Sequence, residues 1–172
     1  MNTAHLCGIY YTERVIKMKI KWTDLIIWIV GTELVGALSA LISGGNFSAY
    51  YDTLQQPPLA PPAWLFPVMW SILYALMGVS AYLIWESNDR RRKGAILLYG
   101  LQLFANFLWT PVFFGLKSLR GASAVVIIML ILITAMIVSF LRINKTAAYL
   151  NIPYPLWTVF AAYLTIGVTV LQ

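Results

Sequence analysis

Five long apolar runs, divided by short polar breaks, organise this chain. They fall at about 23–43, 64–85, 95–115, 122–142 and 154–172. A helix of about 20 mostly apolar residues crosses a hydrocarbon core of about 30 Å, so each run is long enough to span a bilayer. Within the second run Trp70, Tyr74, Met77 and Ala81 recur at helical spacing. In the third, Gln102, Asn106, Trp109 and Phe113 do the same. The pattern predicts an all-α membrane protein, a single bundle of five transmembrane helices over 22–172. Residues 1–21 form a polar N-terminal extension, expected to be disordered. The one long connection, 44–63, is rich in proline towards its end, and proline cannot donate a ladder hydrogen bond. It reads as a stiff lid over the mouth of the bundle.

Composition agrees with the pattern. Of the 172 residues 60% are hydrophobic and 10% charged, and the mean hydropathy is +0.77. Soluble domains carry about 25% charged residues. The net charge of +6 is not a nucleic-acid patch, because its placement follows the helix ends. Arg14, Lys17, Lys19 and Lys21 precede the first run, Arg90 to Lys93 follow the second, and Arg142 and Lys145 follow the fourth. Only Lys117 and Arg120 fall on the other side. The positive-inside rule places the N-terminus in the cytoplasm and the proline-rich loop outside. This bias, with no transit signal, points to a bacterial cytoplasmic membrane. The first run lacks a small-residue cleavage pattern and reads as a retained span.

Few side chains carry chemistry. Cys7 and His5 are the only cysteine and histidine, and both lie in the N-terminal extension. No disulfide and no metal site are expected, and haem iron would find neither histidine nor cysteine as an axial ligand within the spans. Glu33 is the only ionisable residue near the middle of a span. Its burial cost of at least ~2.5 kcal/mol predicts a protonated or inward-facing carboxyl. Trp22 and Trp85 sit where aromatic rings anchor at headgroups, and Trp28 is a candidate to face lipid. Small residues on the first helix (Gly36, Ala40, Ser43) and on the third are candidate helix-packing or dimer faces.

Three ordered blocks resemble the TspO/MBR family of tryptophan-rich sensory and translocator proteins, the peripheral benzodiazepine receptor family. The first is Tyr50-Tyr51, then Pro57 to Pro62, then Phe66-Pro67-Val68-Met69-Trp70-Ser71-Ile72-Leu73-Tyr74-Ala75-Leu76-Met77-Gly78. The second runs Gln102-Leu103 through Asn106 and Trp109 to Phe113-Phe114, and the third is Pro153-Tyr154 with Trp157 and Phe160. The chain departs from the family at the lid. Gln56-Pro57-Pro58-Leu59 stands where the family has Lys-Pro-Ser-Trp, so a cation and a ring are missing. Late in the fifth run Leu164-Thr165 replaces Leu-Asn. No Lys or Arg follows Tyr163, which leaves cholesterol recognition unsupported.

The resemblance implies a homodimeric bundle that binds porphyrins such as protoporphyrin IX, and benzodiazepine-type ligands, beneath the first loop. It also implies that light-driven porphyrin breakdown is open to some bacterial members. The expected ligand-binding residues are Tyr51, Trp70, Tyr74, Asn106, Trp109, Phe113, Trp157 and Ala161. Asn106 and Gln102 are expected to meet a polar edge of the ligand. Trp70 and Trp157 are the expected electron partners of an excited porphyrin. A small-molecule or tetrapyrrole transporter is the alternative.

Overall fold

The computed structural model describes residues 20–44 and 47–172. The expectations about His5, Cys7 and the basic residues up to Lys19 lie outside these. The helices are α1 (Trp22–Ile42), α2 (Phe47–Thr53), α3 (Leu65–Glu86), α4 (Arg92–Thr110), α5 (Leu119–Leu141), α6 (Lys145–Leu150) and α7 (Pro153–Leu171). A π-helical turn, Pro111–Gly115, extends α4. Among the described residues five spans are long and apolar enough to cross a membrane, as the sequence predicts. The fifth differs in detail. It covers Lys145–Leu171 and is broken between α6 and α7. Pro153 at the first position of α7 has no N–H to continue the earlier helix. The lid also contains a helix, α2, that its turn-rich composition did not predict.

The spans form a ring. α1 packs along α3 and more lightly along α4, α4 along α5, and α5 along α7. The closest approaches fall at glycines. A Cβ on Gly78 would lie 2.6 Å from the Ile29 Cα, so α1 and α3 meet backbone to backbone there. At Gly36 a Cβ would lie 2.2 Å from the Tyr74 ring. The small residues of α1 therefore serve packing within the chain, not a free dimer face. α3 and α7 do not approach closely along their backbones. Rings close that seam, with Trp70 at 6.1 Å from Tyr154 and Phe66 at 6.0 Å from Trp157.

Hydrocarbon offers no hydrogen bonds, so each polar break in a span has to be repaired by protein. Pro111 lacks the N–H that would bond to the Phe107 carbonyl four residues earlier. Ser39 of α1 replaces it, its hydroxyl donating to the Phe107 oxygen at 2.6 Å. The next turn slips into π register, with the Leu116 N–H bonding to the Pro111 oxygen at 2.8 Å. The proline thus ties α4 to α1 instead of only kinking it.

The end opposite the lid carries most of the charge. Lys21 pairs with Glu86 at 2.9 Å, and Asp89 with Arg91 at 2.9 Å. The Arg91 guanidinium and backbone N–H hold the Asp89 carboxyl down at about 2. Trp28, a candidate for lipid contact by sequence, is half-buried instead. Its ring packs 6.0 Å from both Trp85 and Tyr99. Asn151 is buried between α6 and α3, donating to the Ser80 hydroxyl at 2.5 Å and to the Ala147 carbonyl at 2.8 Å. This cluster holds the broken half-span against α3.

Ser39→Ala should cost about 1–3 kcal/mol, the penalty of a buried unpartnered acceptor. Thermal unfolding in detergent measures it. In a Pro111→Ala background, which restores the helical N–H, the same substitution should cost clearly less.

Candidate functional site

One hydrogen-bonded chain fixes the relative depth of three helices. The Tyr74 hydroxyl on α3 donates to Asn106 Oδ1 on α4 at 2.5 Å. Asn106 Nδ2 donates to the Tyr154 hydroxyl on α7 at 3.0 Å. Tyr154 in turn donates to Gln102 Oε1 at 2.8 Å, and Gln102 Nε2 reaches the Met77 sulfur at 3.7 Å. All five residues are buried. Both lone amides and both phenols are satisfied without a ligand. Gln102 and Asn106 thus act as a floor. Each amide group has a protein partner in this structure and keeps a second lone pair and a second N–H that these bonds do not use.

Helix geometry places the tryptophans above this floor. α4 and α7 run towards the lid, and α3 runs away from it. Trp109 follows Asn106 by three residues, Trp157 follows Tyr154 by three, and Trp70 precedes Tyr74 by four. Each is one turn, about 5 Å, nearer the lid. Trp70 stacks on Tyr74 with centroids 5.7 Å apart and meets Tyr154 edge-on. Trp109 stacks on Phe113 at 5.0 Å. Trp157 lies 5.6 Å from Phe160. Ala161 is buried one turn beyond Trp157. Phe113 is buried too, in a small cluster with Leu54, Ala122 and Val168 that seats the lid on α5 and α7.

The lid is held by its own backbone and by α7. The Tyr51 hydroxyl donates to the Pro61 carbonyl at 3.0 Å, and Gln56 Nε2 to the Tyr51 carbonyl at 2.8 Å. Burial first, then the Asp52 charge, pushes the Tyr51 phenol above its usual range and keeps it a donor. The Tyr51 ring lies 5.4 Å from Phe66, which in turn touches Trp157. On the α7 side Tyr163 donates to the Pro58 carbonyl at 2.8 Å. Pro57 fits against Gly167, where a Cβ would come within 2.9 Å of its ring. Leu59, at the family's tryptophan position, is 84% exposed with φ of 67° and covers nothing.

Three buried polar atoms of this region have no partner among the described residues: Trp109 Nε1, Trp157 Nε1 and Gln56 Oε1. Two are donors in the tryptophan layer and one is an acceptor in the lid. Buried groups of this kind are rare because each costs about 1–3 kcal/mol. A ligand with complementary polar atoms would offset that cost. No group of three or more His, Cys, Asp or Glu among the described residues is placed to hold a metal.

The structure thus sets Trp70, Trp109 and Trp157 one turn to the lid side of Tyr74, Asn106 and Tyr154, with Phe113 and Ala161 a further turn along α4 and α7 and Tyr51 in the lid. Tyr154, Phe66 and Gln56 stand in the family blocks and the lid but not among the expected ligand-binding residues. The depth of Tyr154 depends on the break before α7. Glu33 is half-buried on α1, and neither ion pair of the described residues involves it.

A sequence model of the TspO/MBR family matches residues 28–171. The chain is 34% identical over 145 residues to protein CrtK of Rhodobacter capsulatus, covering 83% of this chain and 88% of that one. It is 35% identical over 142 residues to tryptophan-rich protein TspO of Chlorobaculum tepidum, covering 80% and 87%. It is 31% identical over 146 residues to the translocator protein of Bos taurus, covering 83% and 86%.

Removing the central phenol should hurt the floor most. Tyr154→Phe leaves both Asn106 Nδ2 and Gln102 Oε1 short of a partner, whereas Tyr74→Phe affects only Asn106 Oδ1. We expect a loss of about 1–3 kcal/mol for Tyr74→Phe and a larger one for Tyr154→Phe, read by thermal unfolding.

Proposed function

The chain belongs to the TspO/MBR family, and on that premise we propose that it is a membrane receptor or sensor for porphyrins such as protoporphyrin IX. Benzodiazepine-type ligands would occupy the same place between the tryptophan layer and the lid. The observation that carries this reading is the pair of buried, unpartnered indole N–H groups on Trp109 and Trp157. They accompany large flat rings, whose faces suit a flat aromatic ligand at roughly 0.5–1.5 kcal/mol per pair beyond burial. Polar acceptors on such a ligand would satisfy the two donors. The spans contain no His or Cys, so the site favours a metal-free porphyrin or one held by its faces.

Light-driven breakdown is an extension of this reading. A porphyrin excited in the layer would exchange one electron with an indole, leaving a pair of porphyrin and indole radical ions, with dissolved dioxygen as the oxidant for ring opening; Trp70 and Trp157 are the proposed electron partners. The transporter alternative gains less support, because the Tyr74–Asn106–Tyr154–Gln102 chain closes the bundle below the layer. For the assembly we favour a homodimer through the outer face of α4, where Gly100, Leu97, Leu101 and Phe104 are exposed. The membrane we favour is the bacterial cytoplasmic one, with the N-terminus inside.

Added protoporphyrin IX should quench tryptophan fluorescence saturably in the purified protein. Trp109→Phe and Trp157→Phe each keep a ring and lose the N–H, and each should weaken binding several-fold. Absence of saturable quenching would sink the assignment. Under illumination, loss of the porphyrin spectrum should slow in the Trp70→Phe, Trp157→Phe double variant. An unchanged rate would remove the two tryptophans from the photochemistry.

A further inference from the structure

The lid end of the bundle is poor in charge. Among the described residues its only cations are Lys117 and Arg120, in the turn between α4 and α5 and the first turn of α5. Lys117 is exposed and its backbone has a φ of 52°, the left-handed region that glycine adopts without strain. Its ammonium lies over the face of Tyr50 on lid helix α2, 5.2 Å from the ring centroid. No carboxylate of the described residues pairs with it, and neither ion pair includes it. Asp52, the acid of the same lid helix, is exposed and makes no ion pair.

Lys117 is also connected to the tryptophan layer. Tyr50 meets Phe113 edge-on at 6.1 Å, and Phe113 stacks on Trp109. Lys117 follows Trp109 by eight residues, across the end of α4 and the π turn Pro111–Gly115. A flat ligand seated in the layer, with acidic arms pointing to the lid end, would extend them past Phe113 and Tyr50 towards the lysine side chain. The lid itself offers no cation, because Gln56 occupies the position where the family carries lysine.

We propose that Lys117 is the residue by which this protein selects ligands with free carboxylates, supplying from the α4–α5 turn the positive charge its lid lacks. The preferred ligand class is then a flat aromatic acid, bound with its rings among the tryptophans and its carboxylates at Lys117. The proposal rests on the porphyrin reading of the tryptophan layer.

The test compares protoporphyrin IX with its dimethyl ester, using the full chain in phosphatidylcholine nanodiscs and tryptophan quenching as readout. Wild type should bind the free acid roughly two- to fivefold more tightly than the ester, the scale of one exposed charge pair. Lys117→Gln should remove that preference by weakening the acid alone, and Lys117→Arg should keep it. Raising the salt concentration should narrow the preference in wild type and do nothing in Lys117→Gln. Equal binding of acid and ester by wild type would overturn the proposal while leaving the porphyrin site standing. So would an equal loss of both ligands in Lys117→Gln. No saturable quenching by either compound would overturn the porphyrin reading and this proposal with it.

Discussion

A polar group inside a bilayer has to find its partner within the protein, and this bundle is arranged around that constraint. Tyr74, Asn106, Tyr154 and Gln102 satisfy one another in a single chain across α3, α4 and α7. Because the bonds have fixed lengths, they set the register of the three helices. The tryptophan layer follows from that register, since each indole is one turn from a member of the chain. Pro111 obeys the same constraint. The carbonyl it leaves unpaired is capped by Ser39, so a helix defect becomes a tie between α1 and α4.

The same rule makes the exceptions informative. Where buried polar atoms are repaired throughout the floor, the indoles of Trp109 and Trp157 and the amide oxygen of Gln56 are not. They sit on the lid side of the floor, beneath and within a loop fastened at Pro57, Pro58 and Pro61. The hydrogen-bonded chain itself is thus complete, while the tryptophan layer and the lid keep three polar atoms open to further partners; on the far side only the Asn151 Oδ1 is left unpartnered among the described residues.

The hydrophobic pattern made the five spans legible, because length and apolarity are local properties of the chain. The aromatic stripes of α3 and α4 were legible for the same reason, being matters of spacing. What the sequence could not display was which polar residues would meet. That Asn106 and Gln102 bond to Tyr154 could not be seen from local pattern, because Tyr154 lies some 50 positions away. Its depth depends on a break that local pattern marks only as a proline. Trp28 was a candidate for lipid contact because its neighbours Trp85 and Tyr99 come from other helices, which local pattern does not display. The lid helix α2 lies among turn-forming residues and is held by Phe113, Phe114 and Leu54, contacts made across the fold.

The seam between α3 and α7 has a kinetic consequence. Elsewhere in the ring, parting two helices means sliding whole backbones, a collective motion of microseconds or longer. At this seam Phe66, Trp70 and Trp157 are half-buried, and their rings bridge α3 and α7 on the lid side of the Ser80–Asn151 contact. Rotamer changes of exposed side chains take picoseconds to nanoseconds, far less than helix displacements. A seam closed by rings can therefore be opened by side-chain rotation, without the backbone displacement that parting the closely packed helices requires.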